Sequence, residues 1–218
     1  MSMDIFTIPG REYDSNVYVI GGQTPTIIDT GTGFYSRMII ETIQKIIKLH
    51  QIRQILLTHE HYDHVGGVQD IVRATKGTAQ IFAHKDVVSK LKDGKSTFAE
   101  MIGRVMPKID VDVPLVDGQQ LTLGDQTFKV LVTPGHSIGS LCFYSKKCEV
   151  LFSGDTIFAN GGFGRYDFPG GDFNLLLQSI ERLVKLKVKN LYPGHGPIIE
   201  TNGTNHVVQS LCNIRSLM

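Results

Sequence analysis

Cysteine is scarce. Cys142, Cys148 and Cys212 are the three thiols in 218 residues, an odd number with no CxxC pair among them. A disulfide framework is thereby excluded, and the expectation is free thiols in a reducing compartment, each packed as a small apolar side chain. Also missing is any run approaching the ~18 apolar residues that a membrane span requires. Met1–Gly10 has no basic stretch leading into an apolar one. These two absences argue against a membrane partner and for a cytoplasmic chain. Charge of one sign is lacking too: 22 Lys+Arg against 21 Asp+Glu leave a formal +1, which gives no field for gathering nucleic acid. The expected partner is a small molecule, with a homo-oligomer left open. No internal repeat, low-complexity tract or linker divides the chain, so residues 1–218 are read as one domain.

What is present is an ordinary share of apolar residues, 41%, in a length that buries roughly 70–75% of its unfolded surface. Such a core needs neither disulfide nor structural metal, so any metal must be argued as functional. Extended apolar or alternating runs occur at Asn16–Ile20, Thr26–Ile28, Gln54–Leu57, Gln80–Phe82, Thr127–Val132, Leu141–Tyr144 and Val150–Phe152. Tight hairpins are expected at Gly124-Asp125 and around Ser145–Lys147. Ser36–Leu49 places Ile39, Ile43, Ile46 and Ile47 on one helical stripe. Asp172–Leu186 does the same with Leu175, Leu176, Ser179, Leu183 and Leu186, and Asp172 is its expected N-cap. Hairpins mixed with amphipathic helices imply sheets covered by helices on their outer faces.

The chemistry lies in four short segments, each directly after a strand-like run: Thr58-His59-Glu60-His61-Tyr62-Asp63-His64, Pro134-Gly135-His136, Gly154-Asp155 and Pro193-Gly194-His195. Loops beyond strand ends can converge on a single pocket. In extended backbone residues i and i+2 share a face, so His59 and His61 can chelate one cation, while Asp63 and His64 begin the next turn and point elsewhere. Two neighbouring metal positions result. Imidazole mixed with carboxylate suits zinc first, with iron or manganese as alternatives, and paired ions ~3.5–4 Å apart are a recurrent hydrolytic device. An HxHxDH pattern arises by chance in about one chain of this composition per thousand.

These motifs, from Ile27-Ile28-Asp29-Thr30-Gly31 to His195-Gly196-Pro197, resemble those of the metallo-β-lactamase-fold hydrolase superfamily over nearly the whole chain. The resemblance implies an α/β (α+β) fold, a four-layer αβ/βα sandwich with two mixed sheets face to face and helices outside. By position it implies one metal on His59, His61 and His136, a second on Asp63, His64 and His195, and Asp155 bridging both. Gly161–Asp172 is similar to a loop of glyoxalase II-like proteins, which hydrolyse thioesters such as hydroxyacylglutathione. Only about twenty residues follow the His195 motif, so the short, single-domain branch is expected rather than the one with an added helical domain. Antibiotic-hydrolysing relatives, which generally lack an aspartate at the Asp155 position, flavodiiron proteins, which usually carry glutamate in place of His61, and the larger RNA-processing relatives are set apart.

The expected activity is hydrolysis of an activated acyl bond, a thioester first, by a metal-held hydroxide. Asp63 is expected both to bind metal and to hold or relay the nucleophile's proton. The rivals are a persulfide dioxygenase with one iron on His59, His136 and Asp155, and lactone hydrolysis at the same site. Asp29 either closes an Asx turn or accepts a hydrogen bond from a metal-bound imidazole. By the same resemblance Arg165, either solvated or a substrate contact, matches a basic substrate-binding position of the glyoxalase II-like loop, and Tyr166, offset by one residue from that family's tyrosine, is expected beside it as a second substrate contact. His50, His84 and His206 match no motif, and the lysines at 146, 147, 185, 187 and 189 read as solvated edges. Phe158, Phe163 and Phe168 belong either to pocket wall or to core.

Overall fold

Apolar side chains alternate along several strands so that each strand carries two buried faces, and that pattern requires a layer of structure on either side. The computed structural model describes residues 3–95 and 98–218. Its first sheet has the order β1 (Ile5–Ile8), β2 (Val17–Ile20), β3 (Thr26–Ile28), β4 (Gln54–Leu56), β5 (Gln80–His84), β6 (Val113–Leu115). The second runs β11 (Asn190–Pro193), β10 (Val150–Gly154), β9 (Leu141–Ser145), β8 (Gln126–Val132), β7 (Gln120–Leu123). Strands β3 to β6 are parallel, as are β10 and β11; the remaining neighbours are antiparallel.

Tyr18, Ile20, Ile28, Leu56 and Phe82 of the first sheet meet Phe128, Val130, Phe143 and Phe152 of the second in a core between the sheets. Their sequence neighbours Val17, Val19, Ile27, Ile55 and Ile81 face the other way, under α1 (Ser36–Ile46), the short α2 (Tyr62–Val65), α3 (Val68–Ala74) and α4 (Val88–Asp93). Leu131, Cys142, Tyr144 and Leu151 turn outward beneath α5 (Phe173–Leu183) and α6 (Gly203–Arg215). Four layers result, helix, sheet, sheet, helix. Each fully buried Leu, Ile or Phe contributes about 1.5–3 kcal/mol, so the layering is the main source of stability.

The expected hairpin at Gly124-Asp125 joins β7 to β8 through the pair Leu123↔Gln126. Asp172 caps α5, its side chain accepting from Leu175 N. Leu175 itself is a correction: it is 41% exposed, and Ile180 takes the buried position beside Leu176 and Leu183. The first helix stops at Ile46, because Ile47 is already extended, so the helical reading to Leu49 is too long. Cys142 is buried and its thiol is pushed up to about 11 by that burial, whereas Cys212 lies exposed on α6 rather than packed as expected, and Cys148 is half-buried. No helix among the described residues is long and apolar enough to cross a membrane.

Candidate metal centre

Three features bring the four chemical segments together. All four leave the same end of the strands, β4, β8, β10 and β11, and hydrogen bonds between their loops fix the spacing. The loop after β3 is stitched to the turn holding His64: Thr30 N and Oγ1 both donate to the His64 carbonyl, and Gly67 N donates to Gly31 O. Side chains at 66 and 67 would place Cβ 2.3 Å from the Thr32 and Thr30 carbonyl oxygens, so that approach requires glycine. Across the other face, Ser15 N donates to the Asp63 carbonyl and Asn16 N to that of Gly194. The buried Asn16 side chain and the Tyr18 hydroxyl both donate to Pro193 O, which holds the His195 loop against β2.

Ligand-type atoms converge within that frame in three groups, each spanning no more than 4.8 Å: His59, His61 and His136; His59, His64 and Asp155; Asp63, His64 and His195. The seven residues expected from the sequence are thus all brought together. His64 Nδ1 donates to Asp29 Oδ2 at 2.8 Å, so the deprotonated ring carries its lone pair on Nε2. That lone pair faces His195 Nε2 at 3.2 Å, Asp155 Oδ1 at 3.4 Å and Asp63 Oδ2 at 3.7 Å. His136 Nδ1 likewise donates to the Arg165 carbonyl at 2.7 Å, which turns its Nε2 toward His61 Nδ1 at 2.9 Å and Asp155 Oδ2 at 3.6 Å. His59 Nε2 and Asp155 Oδ1 are buried without a hydrogen bond. Acceptors aimed at one another, two of them orphaned, are what a cation between them would satisfy, and the donor set fits divalent transition metals.

Of the two readings for Asp29, the acceptor reading matches its contacts. Its Oδ1 receives Thr58 N, and its Oδ2 receives Thr58 Oγ1 and the His64 ring, so one carboxylate fixes both the His59 strand end and the His64 tautomer.

The electrostatics divide the groups. Burial, then the neighbouring rings, holds His59 well below the usual histidine range, and burial followed by His136 brings His61 down to about 3. At His64 and His195 burial is outweighed by carboxylates, Asp155 foremost, and both rings are held above the usual range. Burial likewise opposes ionisation of Asp155, yet His64 and His195 overcome it and drive that carboxyl far down. Asp63 is lowered in the same way.

A cavity of about 560 Å³ opens onto His61, Asp63, His136, Asp155 and His195. Its apolar wall is Phe98, Met101, Ile102, Phe158, Phe163 and Phe168, so the three loop phenylalanines are pocket wall, and Glu12, Tyr13 and Tyr62 line it as well. Arg165 lines it too, exposed, paired with Asp167 at 2.7 Å and stacked 4.1 Å over the Phe168 ring. Tyr166 does not line it and departs from expectation, because its ring packs on Phe173 at the edge of the α5 layer. Gly164 explains this spacing: a Cβ there would lie 2.0 Å from Asp155 O, so glycine lets the loop come close enough for the Arg165 carbonyl to reach His136.

Sequence reasoning missed Asn16, Tyr18 and Glu60. The buried Glu60 carboxylate accepts from Ser137 Oγ at 2.9 Å and ties the His59–His61 segment to the loop that follows His136. The position of Glu60 between two expected ligands was the available signal; Asn16 offered none.

Two facing sheets, outer helices and a buried histidine–aspartate cluster at one strand end define a class of metallo-hydrolases. The chain belongs to the metallo-beta-lactamase superfamily, whose model matches residues 10–195. It is 32% identical over 205 residues to hydroxyacylglutathione hydrolase GloC of Haemophilus influenzae, covering 89% of this chain and 91% of that one. To the probable metallo-hydrolase YqgX of Bacillus subtilis it is 35% identical over 146 residues, 66% of this chain and 68% of that one. Among solved structures, BLEG-1, a B3 metallo-beta-lactamase, matches with TM-score 0.79 and 32% identity over 93% of this chain and 96% of that one. TTHA1623, solved in a di-iron-bound form, matches with TM-score 0.74 and 32% identity over 92% and 96%. A B3 metallo-beta-lactamase is therefore as similar by identity as GloC, although the residue at the Asp155 position was expected to set that branch apart.

Proposed function

We propose that this protein is a metal-dependent thioester hydrolase. The single observation that carries the proposal is the open cavity set directly on the converging acceptors, with Asp63 and His195 at its floor. The similarity to GloC supports it, as does 29% identity over 189 residues to an atrochrysone carboxyl ACP thioesterase of Aspergillus fumigatus, of which the match spans 52%. His59, His61 and His136 would hold one divalent ion, and Asp63, His64 and His195 a second, with Asp155 between them. Ions bound there supply Lewis acidity to a scissile carbonyl and acidify a water.

The chain's own residues do the rest. Asp63 is ionised, faces the pocket and stands 3.0 Å from His195, so its carboxylate can take the proton of an attacking water. Asp29 and the Arg165 carbonyl fix His64 and His136 in the tautomers that leave Nε2 free. The phenylalanine wall lowers the local polarity on one side of the cluster and strengthens charge interactions there. A thiolate leaves without needing a proton, so the mechanism asks no further acid of the residues that line the cavity. Arg165 stands at the rim, placed to pair with an anionic part of the thiol.

The decisive experiment combines elemental analysis with a panel of thioesters, lactones, persulfides and β-lactams. Close to two transition-metal ions per chain, zinc first, and the highest kcat/KM on thioesters are expected. Arg165→Ala should raise KM for charged thioesters about tenfold, equivalent to ~1.4 kcal/mol, with a smaller effect on kcat. One iron per chain with oxygen consumed on persulfide would overturn the proposal. A second reading, opening of a cyclic amide, is favoured by the likeness to BLEG-1; it predicts that β-lactams lead the panel.

The pH dependence of metal binding follows from the divided electrostatics. Ligand histidines must shed their protons to bind metal. His64 and His195 hold theirs above the usual range, so affinity at the Asp63–His64–His195 group should fall roughly tenfold per pH unit for each proton displaced as pH drops from 8 to 6. Burial holds His59 well below the usual range and His61 at about 3, so neither has a proton to displace in that window, and the loss at their group should be the smaller of the two. Competition with a chromophoric chelator at pH 6, 7 and 8 reads both, and parallel losses would refute the assignment.

A further inference from the structure

The cavity has two unlike sides. One carries the acceptor cluster together with the polar side chains of Glu12, Tyr13 and Arg165; the other is an apolar wall that starts at the cluster. Phe98 touches the His61 ring, centroids 4.8 Å apart, and the Phe168 ring at 4.3 Å. Beyond it stand Met101 and Ile102, Met101 being 72% exposed although it is apolar. Phe98 also has φ +76°, a left-handed conformation that a residue bearing a Cβ rarely adopts, and this strained backbone is what carries its ring in toward the ligand histidine. At Phe168 the Arg165 guanidinium lies 4.1 Å over the ring and is engaged by Asp167. Phe98, Met101 and Ile102 themselves offer a hydroxyl no hydrogen-bond donor. A methylene there would gain by leaving water.

We propose that the acyl group of the substrate is a medium-length apolar chain or a ring seated along Phe98, Met101, Ile102 and Phe168, rather than a short hydroxylated group. The inference rests on the thioester reading and specifies its acyl part. A carbonyl held at the cluster is next to the inner end of the wall, so whatever is attached to it extends over Phe98 and then Met101. The cavity, about 560 Å³, is within the usual range for small-molecule pockets and leaves room for such a chain. Met101 and Phe98 are then specificity-determining residues.

The test uses thioesters of one short neutral thiol with acyl groups from butanoyl to octanoyl, together with lactoyl. The proposal expects kcat/KM to rise about threefold per methylene and lactoyl to fall below butanoyl. Met101→Gln should flatten that slope and Met101→Leu should keep it; because Met101 is exposed, both variants should fold. Alkyl thioethers of the same thiol, which have no carbonyl to cleave, provide a readout independent of turnover. They should perturb the Met101 and Ile102 methyl resonances with affinity that grows with alkyl length. Thioester hydrolysis with a flat or falling slope, or with a slope that follows the thiol instead of the acyl group, overturns this inference and leaves the hydrolase reading intact. Length-dependent thioether binding without any thioester hydrolysis refutes the hydrolase reading and supports the apolar wall.

Discussion

Asp155→Ala is expected to empty both metal positions and to lower turnover on the order of 10³-fold or more, since the Lewis acidity it removes is worth several kcal/mol. No other side chain in the cluster reaches both groups in the same way. Its Oδ1 lies 3.4 Å from His64 Nε2, and its Oδ2 lies 3.6 Å from both His136 Nε2 and His195 Nε2. Removing it deletes a carboxylate close to both groups and leaves five imidazoles with Asp63 as the remaining anion of the cluster. His61→Ala, by contrast, takes a ligand from the first group alone and should chiefly weaken one position. Folding should survive the aspartate change. The core is formed by three apolar clusters that do not include Asp155, and taking away a buried carboxylate also removes its desolvation penalty. Elemental analysis and circular dichroism on the same sample decide the matter. Two metals retained with ordinary turnover would show that Asp155 does not bridge.

The parts of this molecule that were legible in its sequence are those in which one residue carries a local signal. Two-faced apolar strands such as β3 and β4 stand out because both faces are buried, and the strand ends that follow them release the histidines and aspartates in order. Asp172 was readable as a cap because capping is a contact three residues long. What escaped depends on distance or on brevity. β6 contains Pro114, which suits an edge strand paired on one side only and masks the run. The glycines at 66 and 67 split the helical stretch after His61 into pieces of four and seven residues, too short for periodicity to register. α6 is rich in Asn, Thr and Gln, so its stripe of Val207, Ser210 and Ile214 is weak. Asn16 clamps a loop 177 residues away, and Glu60 reaches Ser137 across 77; no window of sequence holds either pair. Tyr166 misled for a related reason: its chemistry suited a substrate contact, but the loop register that presents the Arg165 carbonyl to His136 turns the next ring toward Phe173.

That dependence on close approach leads to the second large effect, at a residue with no functional group. Gly194 sits between Pro193 and His195, with its chain against the bridging carboxylate. A Cβ there would lie 2.0 Å from Asp155 Oδ1, 2.8 Å from His64 Cε1 and 3.1 Å from the Gly154 carbonyl carbon. Neither neighbour can yield freely, because His64 is anchored on Asp29 and the Gly194 amide is itself bonded to Gly154 O at 2.8 Å. The methyl group must therefore displace the carboxylate or push the His195 loop away from it, and either movement separates the two acceptor groups. Gly194→Ala should lose metal from both positions, lower turnover at least about 10²-fold, and destabilise the fold by about 1–3 kcal/mol through overpacking. Gly196, two residues on, provides the control. Its φ is +77° and a Cβ there meets nothing within 4 Å, so Gly196→Ala should cost about 1–2 kcal/mol of backbone strain while keeping its metals. Metal content measured beside thermal unfolding separates the two effects. If both variants lose stability alike and both keep two metals, the close approach at Gly194 has no part in shaping the centre.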